Sequence, residues 1–236
     1  MKIENCPICN RKSSDNKEVF GGGFKYLQCR DCYVFYQCNY MSRDEAKEYY
    51  EKSYRQDGVT SKEIYAKRLV KTLRKGIKEI EFPLEGSMLE IGSDAGGTVF
   101  YLKEKGYKIE STEICSEYAK RIEKVGIKVY NDIFENIVFD KKYDCIIALE
   151  VLEHFTNPKF CINKIYSLLN DNGYFIFQTP IMTLDLLISK NFNDFSVPHF
   201  CVFTVESLKY LLLPLFSFPE ITPGSGIVYR VQKLGA

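Results

Sequence analysis

From residue 87 onward the chain alternates short apolar runs with amphipathic stretches, and this alternation limits the available folds more than any other feature. Strand candidates lie at 88–91, 107–112, 127–130, 143–149 and 173–179, with helical patterns between them at 98–105, 116–125 and 158–169. Strand–helix alternation at this spacing predicts a parallel sheet wound on both faces by helices. A last helix is expected over 205–213. Two late strand candidates, 216–221 and 226–231, stand close enough to form a hairpin.

The first forty residues obey a different logic. Cys6-x-x-Cys9 and Cys29-x-x-Cys32 are two thiol pairs separated by a spacing that suits a zinc site. Each pair places two thiolates on one tight turn, and two such turns facing each other surround a tetrahedral ion. Gly21-Gly22-Gly23 lies between them, where a hairpin needs its reversal. About 40 residues have little core of their own, so a bound Zn²⁺ would supply the missing stability. Two disulfides would require an oxidising compartment, and a redox pair would need only one Cys-x-x-Cys. Cys115, Cys145, Cys161 and Cys201 lack ligand spacing and read as small core residues. Between ribbon and sheet, Ser42-Arg43-Asp44-Glu45 reads as a capping box opening a helix over 43–54. A second helix is expected over 61–80, ended by Pro83 and Gly86. The expected division is a ribbon at 1–40, a helical linker or lid at 41–82, and the α/β domain at 83–236.

Charge narrows the partners. The net charge is +1, but residues 1–80 carry +6 and residues 81–236 carry −5. That basic surplus is thin for a nucleic-acid surface, which needs dense Lys and Arg, and a solvated basic face explains it as well. Runs such as Leu211-Leu212-Leu213 are far shorter than a membrane span, and no apolar leader precedes Cys6, so a soluble cytoplasmic protein is expected.

Residues 88–97, Met-Leu-Glu-Ile-Gly-Ser-Asp-Ala-Gly-Gly, read as a strand, a glycine turn and a helix start, a geometry that brings backbone close to a ligand. Strand two ends in Glu113, placed to hold a ribose diol. A glycine turn followed by such an acid also fits NAD. Three features favour a different nucleoside. Glu90 on the first strand would repel a pyrophosphate but attract an ammonium, Asp132 closes strand three within reach of an adenine amino group, and strand four runs into Leu149-Glu150-Val151-Leu152-Glu153-His154-Phe155 and Asn157-Pro158.

On those motifs, residues 88–180 resemble a class I S-adenosylmethionine-dependent methyltransferase. With the cysteine ribbon, the whole chain resembles bacterial zinc-ribbon methyltransferases associated with surface polysaccharides, sugar tailoring or natural products. The resemblance implies an α/β, doubly wound, mostly parallel seven-stranded sheet preceded by the ribbon and helical linker. It assigns Glu90, Gly92 and Gly96 to the methionine part of S-adenosylmethionine, Glu113 to the ribose, Asp132 and Ile133 to the adenine, and Leu149 and Glu150 to the neighbourhood of the sulfonium, and it places Asp94 among the cofactor-binding residues. Asp94 departs from the pattern, standing where the family has its second glycine. Asp tolerates positive φ better than most residues, so the turn is expected to survive.

The chain has two histidines. His199 follows the irregular stretch 181–197, which reads as an acceptor lid, and suits a general base taking a proton from an acceptor hydroxyl. His154 suits a supporting catalytic role. If residues 150–154 start a helix, Glu150, Glu153 and His154 share one face. With His199 they then resemble the Mg²⁺ site of some O-methyltransferases; a cap-and-orient role for Glu153 and His154 competes with that reading. The leading expectation is O-methylation of a small sugar-like or phosphorylated metabolite. Two others stand beside it: a ribosomal-RNA base methyltransferase, and a non-catalytic docking protein on a degenerate methyltransferase fold.

Overall fold

A computed structural model describes residues 3–21, 23–52, 86–191, 195, 199–217, 220–222 and 228–234. The helix expected over 61–80 lies outside the described residues. Three strands open the chain, β1 (Lys17–Gly21), β2 (Phe24–Gln28) and β3 (Phe35–Gln37), followed by helix α1 (Arg43–Lys52). Gly23, at φ 83°, stands just before β2 where the β1–β2 hairpin turns back, and Gly21 pairs with Phe24. The capping box forms as expected: Ser42 N–H donates to Glu45 Oε2 at 2.7 Å, and Glu45 N–H to Ser42 Oγ at 3.3 Å.

The remaining elements are β4 (Ser87–Ile91), α2 (Gly97–Glu104), β5 (Lys108–Thr112), α3 (Ser116–Glu123), β6 (Val129–Tyr130), β7 (Tyr143–Leu149), α4 (Pro158–Leu168), β8 (Leu169–Gln178), α5 (Leu184–Ile188), β9 (Cys201–Val202), α6 (Val205–Leu212), β10 (Glu220–Thr222) and β11 (Val228–Gln232). One sheet runs β10-β11-β8-β7-β4-β5-β6. Its β6, β5, β4, β7 and β8 are parallel, and β10 and β11 add an antiparallel hairpin at the β8 edge. The hairpin and every expected strand and helix of this half are present, with ends moved by a few residues.

Side chains of β7 divide by the period of two that a strand imposes. Cys145, Ile147 and Leu149 face Val99, Leu102 and Ile122 of α2 and α3, whereas Ile146 and Ala148 share a core with Ile162, Ile165 and Leu211 of α4 and α6. Helices on both faces make the sheet doubly wound. Its strand order reverses between β4 and β7, the place where such folds open a ligand crevice.

Two expectations need amending. Residues 1–40 do not close their own sheet: β9, from beyond the α/β core, pairs with β3 as a fourth strand, and one apolar core runs from Ile8, Val34 and Tyr36 into Leu89 and Phe177. The stretch 181–197 is not wholly irregular either, because Thr183 caps α5 by accepting from Leu186 N–H.

Candidate functional site

At the carboxyl end of β4 the chain turns sharply. Gly92 N–H and Ser93 N–H both donate to the Thr112 carbonyl, at 3.0 and 3.1 Å. Gly92 has φ 70°, and a Cβ there would stand 2.8 Å from Val151 Cγ2. Gly96 has φ 87°, and its Cβ would meet the Phe100 ring at 2.7 Å. Neither position accepts a side chain without movement. Asp94, standing for the expected glycine, takes φ 47°, so the turn survives with an aspartate in the left-handed region. Its N–H donates to Glu113 Oε2 at 2.6 Å, and Cys115 N–H donates to Glu113 Oε1 at 2.8 Å. The acid that ends β5 is thereby fixed against the glycine turn.

The crevice is rich in carboxylates. Burial pushes the Glu90 carboxyl up to about 8, against the opposing pull of the Thr98 and Ser93 hydroxyls. Burial likewise pushes Glu113 up to about 7, opposed by backbone donors at Cys115, Asp94 and Ile114 and helped by the nearby Asp94 charge. Among the described residues no cation pairs with either acid, and a ligand bearing one would restore their charge. Asp132 behaves differently. Burial works to raise it, but Lys47 Nζ at 2.9 Å and Ile133 N–H at 2.8 Å outweigh that and hold it below its usual value. Helix α1 is thus fastened over the crevice, and Glu51 adds a 2.6 Å bond from Ser116 Oγ.

One cavity of about 270 Å³ joins this crevice to the acceptor end. Glu90, Gly92, Asp94, Glu113, Asp132, Ile133, Leu149, Glu150, His154 and His199 all line it, so sequence-chosen positions spread over more than a hundred residues meet at one opening. Gly96 lies just behind, as the N-cap of α2. Sequence reasoning missed Thr98, which faces Glu90, and Lys47, which pairs with Asp132. No local signal marks either.

At the acceptor end, Glu153 is buried, its Oε2 accepting from Thr179 Oγ1 at 2.9 Å while Oε1 lies 3.7 Å from His154 Nε2. The His154 and His199 rings meet edge to face at 4.8 Å, and Tyr50 stands edge-on to His154 at 5.9 Å. The helix on which a shared face of Glu150, Glu153 and His154 depended does not form. Glu150 has φ 54°, which breaks the helical path, and only Leu152–His154 make a single 3-10 turn. Ligand atoms of Glu153, His154 and His199 lie within 4.8 Å of one another, and Glu150 is outside that cluster. Two imidazoles and one carboxylate are a poor match for Mg²⁺, which takes oxygen ligands almost exclusively.

The four ribbon cysteines do converge. Cys6 Sγ stands 3.5 Å from Cys32 Sγ and Cys9 Sγ 3.4 Å from Cys29 Sγ, with all four within 4.8 Å. A tetrahedral zinc with bonds of about 2.3 Å holds its sulfurs about 3.8 Å apart. The two turns are built alike. Cys6 and Cys29 each accept from the amide four residues on, Asn10 at 3.0 Å and Tyr33 at 3.1 Å, and those residues take φ 65° and 62°. This donor set fits Zn²⁺.

A family model described as "Methyltransferase domain" matches residues 65–213. The chain belongs to that family. A Papaver bracteatum relative named "Probable (S)-tetrahydroprotoberberine N-methyltransferase 2" is 28% identical over 119 residues, which span 46% of this chain and 31% of the relative. Two solved methyltransferases share the fold at low identity. A Burkholderia thailandensis 1,6-didemethyltoxoflavin-N1-methyltransferase, bound to its substrate and S-adenosylhomocysteine, has a TM-score of 0.63 at 12% identity and covers 93% of this chain and 100% of its own. The Synechocystis magnesium protoporphyrin IX methyltransferase with bound S-adenosylhomocysteine has a TM-score of 0.61 at 14% identity, covering 82% and 100%. No helix among the described residues is long and apolar enough to cross a membrane.

Proposed function

We propose that this methyltransferase moves a methyl group from S-adenosylmethionine to a hydroxyl of a sugar-like small molecule, of the kind tailored in surface-glycan biosynthesis, in the cytoplasm. The observation that carries the reading is the single cavity running from the acid-lined glycine turn to the two histidines. S-adenosylmethionine supplies an electrophilic methyl on a sulfonium. Glu90 would face its ammonium, Glu113 the ribose diol, and Asp132 with Ile133 the adenine edge; the raised Glu90 and Glu113 carboxyls suit a cationic ligand.

The protein's own task is to align the acceptor and remove its proton. His199 would accept the hydroxyl proton, and Glu153 beside His154 would steady a positive charge at that end. Among the described residues the cavity lining holds no Lys or Arg, which favours a neutral acceptor over a phosphorylated one. Asp94 adopts a left-handed φ with the turn intact, which supports the catalytic reading over a non-catalytic docking protein. In the ribbon, Cys6, Cys9, Cys29 and Cys32 would hold one structural Zn²⁺.

The test is methyl transfer from radiolabelled S-adenosylmethionine to a panel of free sugars, sugar nucleotides, sugar phosphates and amines. Label in a free, uncharged sugar is the expected result. Label confined to amines would overturn the hydroxyl assignment, and no S-adenosylhomocysteine binding by calorimetry would overturn the whole reading.

A further inference from the structure

The ribbon grips the polypeptide at His199. The His199 carbonyl accepts from Tyr26 Oη at 2.5 Å and from Gln37 Nε2 at 2.9 Å, and Gln37 Nε2 also reaches Tyr26 Oη at 3.2 Å. Two donors fill both acceptor positions of one carbonyl, and both come from ribbon strands more than 160 residues earlier in the chain. The grip extends to either side. Gln37 N–H donates to the Phe200 carbonyl at 3.0 Å, Cys201 and Val202 pair with β3, and Phe200 stacks on Tyr40 at 4.6 Å. Phe195 stacks on Tyr26 at 4.0 Å.

The chemistry of Tyr26 makes this more than packing. Its side chain is fully buried beside Phe35, Met182 and Phe195, an apolar setting that a phenylalanine would fill equally well. A hydroxyl there loses water and must be compensated by a partner. The Tyr26 hydroxyl donates to the backbone of the histidine whose imidazole meets His154 at the acceptor end of the cavity.

We propose that Tyr26 and Gln37 are positioning residues, through which the ribbon sets the His199 imidazole against His154 and the acceptor. The proposal rests on the catalytic role given to His199 above. It assigns the ribbon a part in the acceptor site. A base must sit within hydrogen-bond reach of the proton it removes, and an error of about 1 Å costs up to about 10²-fold in rate.

With two histidines in the chain, both imidazoles are resolvable by NMR in the intact protein with S-adenosylhomocysteine bound. The wild type should give a ring-to-ring Overhauser effect between His154 and His199. In the Tyr26→Phe/Gln37→Met variant that effect should vanish and the His199 signal should shift, with S-adenosylhomocysteine affinity unchanged. Tyr26→Phe alone, which keeps the ring and its stacking, serves if the double variant does not fold. With the acceptor found in the panel above, kcat should fall about tenfold at unchanged KM for S-adenosylmethionine, and the same substitutions should have no further effect on a His199→Ala background. A folded variant that keeps the Overhauser effect overturns the proposal, as does a kcat that is unchanged or equally reduced in both backgrounds. Full turnover by His199→Ala alone sinks the assignment of the base instead, so the two failures are distinguishable.

Discussion

His154 and His199, 45 positions apart in sequence, meet with ring centroids 4.8 Å apart and planes at 70°. Each comes from a different direction. His154 ends the turn after β7, and His199 is delivered by the strand that joins the ribbon sheet. The pair, with Glu153 buried beneath, lines one end of the cavity whose other end carries the acids and the glycine turn; in the proposed reading the first end handles the acceptor proton and the second holds the cofactor. Removing the His199 imidazole should lower turnover by about 10²-fold, the usual contribution of a positioned base, at unchanged cofactor affinity. Steady-state kinetics of His199→Ala on the identified acceptor checks this. Added Mg²⁺ should leave the rate unchanged.

Glu113 braces the glycine turn, its two oxygens accepting from Asp94 and Cys115, and in the proposed reading it also holds the ribose, so truncation would remove both a brace and a ligand contact. Glu113→Ala should weaken S-adenosylhomocysteine binding by about 1–3 kcal/mol, the scale for leaving buried polar groups unsatisfied. Calorimetry measures it directly. Tighter binding of NAD than of S-adenosylhomocysteine would contradict the assignment.

Acidity gives a separate handle on the same crevice. Glu90 and Glu113 are held near 8 and 7, above the ordinary carboxylate value of 4.5, so the empty folded protein keeps protons there that the unfolded chain has already lost. The stability these two groups contribute is therefore fully present below about 4.5 and is lost as pH rises through 7 and 8. A ligand ammonium reverses the balance by favouring the ionised acids. S-adenosylhomocysteine binding near pH 6.5 should release protons, visible as a dependence of the calorimetric heat on buffer ionisation enthalpy, and affinity should rise between pH 6 and 8. Glu90→Gln should remove most of that release.

How much of this was legible in the sequence depends on how local its cause is. The β4 turn, the Glu113 acid and the Asn157-Pro158 start of α4 follow from short-range chemistry, and the Asn157 side chain does accept from Phe160 N–H as the cap. The paired cysteines were readable for the same reason, because each turn is closed within six residues. Placing Glu150 on one face with Glu153 and His154 depended on a helix, and the positive φ of Glu150, which no local pattern announces, breaks that path. Tyr26, Gln37 and Lys47 were invisible as site residues because their partners lie 173, 162 and 85 positions away, and no periodicity encodes such a pairing.

That long-range pairing also changes what loss of the ribbon metal should do. Four thiols packed within 4.8 Å cannot all ionise without a cation among them, and the sulfur spacing suits zinc. Metal analysis of the purified protein should find one zinc per chain, and Cys29→Ser should lose it. Read from sequence alone, 1–40 is a separate module whose unfolding leaves cofactor binding largely intact. The structure predicts otherwise for one end of the cavity. Unfolding the ribbon removes the partner of β9 and both donors to the His199 carbonyl, while the Glu90, Glu113 and Asp132 contacts stay within the α/β half and α1. Cys29→Ser should therefore show a lowered melting temperature and little turnover, yet bind S-adenosylhomocysteine within a few-fold of wild type. Zinc-free protein with unchanged melting temperature would refute the structural role of the metal. Full turnover by a folded Cys29→Ser variant would show that the ribbon does not hold the acceptor end.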